Sequence, residues 1–558
     1  MRENGLRGIV PSHGLVAQPA RGLRKSSAMT PPVTVTAQRS WLLAPLRSDW
    51  RLGLPDLIAV VGFLLLCALL IYESDVLPLQ YWDESRNANN ALGAAMDGRW
   101  LAPVYFGFVD HWNTKPPLLI WMMAGFLKAG LPALWAIRLP SILAALATCG
   151  LVWAALRLSL KDPIAAAIGN GLLLTSALYV GVHGVLTGDY DGLESLFIVG
   201  YVLSFWRVAD NPVRPNWLFA AALCIAGAVL TKGIAGTLPL PGCAIILVSD
   251  FRRLRALVGD WRTWACGLFV VLLPLGYYLS REAYDPGYLT AVVNGELGGR
   301  FLTANEGHVE APQFYIVALS QGFGAGLLLS PLAFAPLLGA YGRRRDLVVL
   351  CLASCVALLV VLTLSRTKLF QYAIPVVPLL AIAVAIGVSD VSRLLAKIDA
   401  SQSRRTRLSP ILLCGTALLC AEAAVKTAHP HSLLRALDSY KERDGAFLAR
   451  LHQMGVRSPV TVVEEGFWPF PSGPPGRRSS QIIDFYATLY RAEWTIGQSK
   501  MGQTLPTGSL AATCSSKVSA WLRTTYNTTT VDNYDGCMLD RLEPKVPAIA
   551  SPQERSPS

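Results

Sequence analysis

Largely apolar stretches recur along the 558-residue chain, near 55–72, 134–156, 163–182, 193–206, 217–231, 234–249, 264–280, 313–340, 348–364, 370–388 and 409–427. A helix needs about 20 such residues to cross a bilayer. Only helices and closed barrels satisfy their backbone polar groups in lipid. The pattern therefore predicts a polytopic α-helical membrane protein with about 11–13 transmembrane helices. The run 117–130 suits either a span or an interfacial helix. Composition agrees: 53% of residues are hydrophobic and only 15% charged, and mean hydropathy is +0.41, where a soluble domain carries about a quarter charged residues. That excludes an ordinary soluble enzyme.

Charge then orders the spans. The segments after even-numbered stretches are basic: Arg157 to Lys161, Arg207 to Arg214, Arg252 to Arg255, Arg343 to Arg345, and Arg393 to Arg407. Cytoplasmic loops carry such an excess, so the basic tail 1–51 is expected on the cytoplasmic side, with no cleavable signal. The net charge of +12 has the same origin, and no nucleic-acid partner is inferred. The organisation expected is a tail 1–51, a transmembrane domain 52–429 with an outer loop 73–116, and a small α/β domain 430–558 outside the membrane. Its signals are a strand-like 460–463, a turn at 471–476 and amphipathic spacing over 433–453. Nine of eleven cysteines lie in apolar stretches. Cys514 and Cys537 are left in the exterior domain, as a disulfide or as two free thiols. No zinc spacing, P-loop, GxSxG or Rossmann fingerprint occurs in a fitting context.

Every unusual polar motif falls on the side opposite the basic loops. Asp83 and Glu84 follow the first stretch, with Arg86 one turn on. A carboxylate at a lipid interface is a candidate general base, or else a helix cap. Lys115, stiffened by Pro116 and Pro117, is placed to meet a phosphate or to snorkel to the interface. Asp189 and Asp191 form a short D-x-D, which either binds a divalent metal or caps the following helix. Arg300 sits in a glycine-rich loop with Glu296 and His308. Ser365, Arg366, Thr367 and Lys368 precede Tyr372 and add two cations that break the positive-inside trend. Together these suggest a phosphate-bearing lipid held by Arg86, Lys115, Arg300, Lys368 and Tyr372, with His308 and Arg366 lining the site. Asp83, Glu84, Asp189 and Asp191 are the candidate catalytic carboxylates.

The motifs Asp83-Glu84-x-Arg86, Lys115-Pro116-Pro117-Leu118, Arg138-Leu139-Pro140-Ser141, Gly188-Asp189-Tyr190-Asp191, Thr231-Lys232-Gly233, Arg300-Phe301 with His308, and Ser365 to Lys368 with Tyr372 and Pro375 occur in one order. In this they resemble the C-type glycosyltransferases, specifically the bacterial aminoarabinose transferases and the dolichyl-phosphate-mannose protein mannosyltransferases (families 39 and 83). The resemblance spans about residues 50 to 430. It implies a polyprenyl-phosphate sugar donor, inverting transfer, and a lipid, glycan or protein acceptor outside a bacterial inner membrane. It also implies Asp83 as the catalytic carboxylate, Lys115 at the donor phosphate, Arg300, Lys368 and Tyr372 in the donor cavity, and Asp189 or Asp191 as a second acidic position. Thr114 stands where aminoarabinose transferases carry a glutamate that helps hold a metal, and Asn87 where a tyrosine is common. No metal ligand is assigned, and a divalent metal stays open. The rival class is a transporter or flippase of a lipid-linked or anionic substrate. Such proteins place charges mid-span and show inverted repeats, whereas here the charges cluster in loops and no repeat is evident.

Overall fold

The computed structural model describes residues 53–545, apart from 106–107, 211–214, 303–308, 340–341, 403–407, 428–439 and 467–479. The basic tail, His308 and the turn at 471–476 thus lie outside the described residues.

Six of the described helices are long and apolar enough to span a membrane: Ala133–Ser159, Tyr190–Asp210, Pro215–Thr237, Trp261–Tyr284, Arg343–Leu364 and Phe370–Ala400. The pair Phe314–Gly322 and Gly326–Leu338, bent by 109°, makes up to one more. Other apolar stretches form shorter or broken helices. Within 163–182 the helix Pro163–Leu174 ends, and Ser176 caps a new turn through its side chain. Within 234–249, Pro239 separates the 3₁₀ turn Gly233–Thr237 from the helix Leu240–Val248. The run 117–130 becomes the helix Leu118–Lys128, which at about 1.5 Å per residue is too short to cross by itself.

The bundle has two chemically distinct ends. The basic segments meet at one: Arg157 pairs with Asp56, Arg343 with Asp210, and Arg344 and Arg393 both with Asp162. At the other end lie the start of Tyr190–Asp210, the ends of Pro215–Lys232 and Arg343–Leu364, and the start of Phe370–Ala400. These bring the polar motifs into one neighbourhood. The helix Phe370–Ala400 is the central pillar, 89% buried over its most apolar window.

The C-terminal residues form a five-stranded sheet from β3 (Val460–Glu464), β4 (Ile496–Lys500), β5 (Leu510–Thr513), β6 (Asn527–Tyr534) and β7 (Cys537–Glu543), β1 and β2 being the two-residue ribbon Val104–Tyr105 and Phe108–Val109. Its order is β4-β3-β5-β7-β6, with β3 parallel to β4 and β5, and β7 antiparallel to β5 and β6. The amphipathic spacing over 433–453 yields the helix Tyr440–Gln453, and Cys514 is disulfide-bonded to Cys537.

This sheet domain does not stand apart. One apolar cluster joins Leu79, Ala88, Leu92, Ile120 and Met123 to Phe447, Leu448, Ile482, Phe485 and Tyr486. The helix Gln481–Leu489 docks on the helix Asp83–Asp97. Ser85 Oγ donates to Gln481 Oε1 at 3.0 Å, and Asn89 Nδ2 to the Gln481 carbonyl at 2.9 Å. Tyr105 donates to Asp484 at 3.0 Å, and Arg491 pairs with Asp97 at 2.8 Å.

The two-ended charge distribution predicts opposite sidedness. In a cysteine-free background, probes at His111 and Arg366 should label from one side of the membrane and probes at Arg252 and Lys397 from the other. Labelling of all four from one side would contradict the topology. Within the sheet domain, burial pushes the Glu464 carboxyl up to about 7, against an unfolded value near about 4.3. The folded state is thus favoured in acid and loses that advantage as pH rises through about 7, by on the order of 3 kcal/mol. The unfolding midpoint should fall between pH 5 and 8, and Glu464→Gln should flatten that slope.

Candidate active site

The helix Asp83–Asp97 begins abruptly. The residue before it, Trp82, has φ 74° and ψ −109° and makes no side-chain cap hydrogen bond. Asp83 is therefore the first helical residue rather than the cap, and its carboxylate sits where the helix dipole favours negative charge. Glu84, one residue on, points about 100° away around the helix. It is fully buried, and both oxygens are occupied. Arg138 donates to Oε1 through Nε (2.7 Å) and to Oε2 through Nη2 (3.0 Å), and the backbone N–H groups of Gly188 and Gln80 add 2.9 and 2.8 Å bonds. The same guanidinium binds the carbonyls of Leu77 and Pro78 at 2.6 and 2.9 Å. Ser141, three residues along, donates to the Asp189 carbonyl at 3.2 Å. The Arg138-Leu-Pro-Ser141 motif thus ties two remote loops to one membrane helix. Gly188 is required there: a Cβ would lie 2.5 Å from Ile137 Cγ2.

Arg86 is also turned inward. Its Nε and Nη2 bind the two Asp110 oxygens at 2.8 and 2.5 Å, with both side chains buried. Burial opposes the Asp110 charge, but Arg86 beside it and hydrogen bonds from Asn90 and Asn113 hold that carboxyl below the usual range. Asp110 Oδ1 accepts the Trp112 and Asn113 backbone N–H groups, and Arg281 binds the carbonyls of Asp110 and Asn113. This order sets Trp112 and Lys115 on the cavity wall. Lys115 Nζ lies 5.6 Å from the Trp112 ring centre and 5.2 Å from that of Tyr190.

The segment 183–191 faces Asp83. His183, at φ 63°, holds Nδ1 3.4 Å from Asp189 Oδ2 and 3.7 Å from Asp83 Oδ2. Burial disfavours the charged ring, but Asp189, with Asp83 and Asp191, outweighs it and pushes His183 up to about 9. Burial likewise opposes the Asp189 charge, yet His183, Thr187 and Lys115 keep that carboxyl below its ordinary value. Asp191 pairs with buried Lys232 at 2.5 Å, and Glu194 joins at 3.1 Å. The Tyr372 ring centre lies 4.9 Å from Lys232 Nζ.

Asp83, His183 and Asp189 could hold a divalent cation. Their ligand atoms lie within 4.8 Å of one another, and buried His183 Nδ1 makes no hydrogen bond among the described residues. Two carboxylates and an imidazole suit an ion of intermediate hardness.

These groups line a cavity of about 540 Å³. It adjoins a second of about 430 Å³, walled mainly by Ile234, Leu238, Leu358, Val361, Leu362 and Pro375. Lys115, Lys232, Glu296 and Tyr372 line both. Glu296 accepts a 2.7 Å hydrogen bond from Thr114 Oγ1, so a carboxylate from another segment reaches the position before Lys115-Pro116-Pro117.

Of the residues expected from sequence, Asp83, Asp189, Asp191, Lys115 and Tyr372 line the polar cavity. Glu84 and Arg86 do not; each is spent inside the protein on a partner of opposite charge. Lys368 turns away as well, its Nζ donating to the Ser365 carbonyl at 2.8 Å while Thr367 takes the cavity wall. Arg366 is exposed and off both walls. Arg300 lies on the helical segment Val293–Leu302, its side chain outside what is described. Sequence reasoning assigned no site role to Arg138, Asp110, His183, Lys232 or Glu296. A signal existed for Arg138 and Lys232, since ionisable groups in membrane helices are rarely idle.

Breaking the Glu84–Arg138 pair by Arg138→Met or Glu84→Gln should destabilise the protein by about 3–5 kcal/mol, read as a lower unfolding midpoint in detergent. The double change to Met at both positions should cost less than either single change.

Residues 114–278 match the profile of the dolichyl-phosphate-mannose-protein mannosyltransferase family. No curated protein matches the chain in sequence. Among solved structures, the chain is similar to ArnT from Cupriavidus metallidurans bound to undecaprenyl phosphate, with a TM-score of 0.60, 17% identity, and 86% of this chain and 97% of that one covered. The apo form of ArnT gives a TM-score of 0.59 at 15% identity over the same shares. The chain has the ArnT membrane fold, which is the C-type glycosyltransferase fold its motifs resemble.

Proposed function

We propose that the protein is a membrane glycosyltransferase that moves a sugar from a polyprenyl-phosphate donor to an acceptor, with inversion, on the outer face of a bacterial inner membrane. The observation that carries this reading is the pair of adjoining cavities. One is polar and lined by carboxylates and lysines; the other is apolar; Lys115, Lys232, Glu296 and Tyr372 stand between them. An amphiphile with a phosphate at the junction of an isoprenoid chain and a sugar has that shape and polarity.

In this reading the isoprenoid lies along Leu358, Val361 and Leu362, and the phosphate meets Lys115 and Lys232. The sugar's anomeric carbon then faces Asp83. Asp83 Oδ2 is turned towards His183, so Oδ1 is the oxygen presented to the acceptor. As the acceptor oxygen attacks the anomeric carbon, its proton passes to Asp83. The bond from that carbon to the phosphate oxygen breaks, and polyprenyl phosphate leaves with both electrons. The leaving group needs no proton, and the two lysines stabilise its charge, commonly a large catalytic contribution. A divalent cation held by Asp83, His183 and Asp189 would add positive charge beside the phosphate. Residues 1–51 are then cytoplasmic, and the sheet domain shares the active face.

Transfer in vitro from a panel of polyprenyl-phosphate sugars, with lipid, glycan and protein acceptors, tests the reading; no transfer from any donor would refute it. Asp83→Asn should lower kcat by about 10²–10⁴-fold while leaving donor affinity nearly intact, and a normal rate in this variant would remove Asp83 from the role. Lys115→Ala should weaken donor binding by about 10-fold or more and acceptor binding little. Equal donor affinity would contradict phosphate contact.

A further inference from the structure

The donor accounts for the lysine-lined side of the polar cavity. The same cavity is also lined by Tyr81, Trp82, His111 and Trp112 beside Asp83, with the Trp112 ring centre 5.6 Å from Lys115 Nζ. Trp82 and Trp112 are stacked, with ring centres 6.3 Å apart and planes 16° from parallel. Resting on the transferase reading, we propose that these two indoles are the acceptor subsite and that the group seated on them is a sugar ring.

Three independent observations carry this. The backbone of Trp82, at φ 74° and ψ −109°, is one that L-residues rarely adopt, least of all bulky ones. Such conformations persist only where the surroundings impose them, and they cluster at functional sites. Here the conformation keeps the indole on the cavity wall next to the helix that starts with Asp83. Second, the platform is braced from within. The Arg86 guanidinium carbon lies 4.3 Å from the Trp112 ring centre, and Asp110 holds that guanidinium by two bonds. Nearly all of this bracing is buried, so the ring is set before any ligand arrives. Third, the position suits the chemistry. Indole faces pack against the C–H face of a pyranose or furanose, while the ring's peripheral hydroxyls stay available to Asp83, one residue from Trp82. A tryptophan serving only as a membrane-belt residue would face lipid; these two face a polar cavity with a carboxylate. The sugar ring can belong to a soluble oligosaccharide or to a lipid-linked glycan, since the recognition chemistry is shared.

The test uses the full-length protein in detergent. Binding of soluble cellotriose, chitotriose and arabinotriose, of the same sugars on a short lipid, and of a serine- and threonine-rich peptide is measured by saturation-transfer NMR. Trp82→Gly removes the indole while accepting the positive φ, and Trp112→Ala removes the second ring. At least one sugar should bind the native protein, and each variant should weaken it tenfold or more; Trp82→Gly should do so while changing polyprenyl-phosphate affinity less than twofold. Trp112→Phe should retain most of the binding. Preference for the lipid-borne over the soluble form of a sugar identifies the source. Binding of the peptide alone, of no sugar at all, or of sugar equally well by Trp82→Gly overturns the proposal. Sugar binding that depends on Trp82, in a protein that transfers from no donor, would sink the transferase reading and leave the subsite standing.

Discussion

The site depends on one buried ion pair. Arg138, on a membrane helix, holds Glu84 through two hydrogen bonds and binds the carbonyls of Leu77 and Pro78. Glu84 in turn accepts the N–H of Gly188. One contact thereby fixes where the first helix hands over to the second, how the helix bearing Asp83 is rotated, and where the segment bearing Asp189 lies. A buried pair of this kind adds little net stability compared with apolar packing, but removing one partner is costly. Its value here is geometric: it brings residues about a hundred positions apart in the chain to one cavity.

The cavity's electrostatics follow from which charges are already neutralised inside the protein. Arg86 is neutralised by Asp110, whereas Lys368 keeps its charge and is only turned towards the Ser365 carbonyl. Lys232 is shared between Asp191 and Glu194. Among the described residues, carboxylates therefore outnumber cations on the polar wall. A charged chamber and an apolar one meet at Lys115 and Lys232, which gives the site two chemically unlike ends.

Much of this was readable from the sequence, and the limits have definite causes. Span positions and basic loops follow from composition, and the ion pairs Arg157–Asp56 and Arg344–Asp162 bring together segments that the charge alternation had grouped. The run 234–249, broken at Pro239, looked continuous because hydropathy is blind to backbone geometry. In the site, Asp83, Glu84 and Arg86 read as one chemical cluster. On a helix, successive side chains diverge by about 100°, so only one of the three faces the cavity. Nothing local marks which one. Asp110 was missed because a single loop aspartate has no periodicity to betray it, and Glu296 because its partner Thr114 is far away in sequence.

The docking of the sheet domain has a consequence for how the protein comes into being. Ser85 is bound by Gln481, 396 positions later, and the helix bearing Asp83 completes its apolar contacts with Phe447, Ile482 and Phe485. A ribosome delivers the chain from its first residue, so the membrane helices insert while that partner is still unmade. The packing of that helix is complete only once Gln481–Leu489 has been made and docked. A chain halted before residue 481 would carry every residue that lines the two cavities and lack the helix against which Asp83–Asp97 packs.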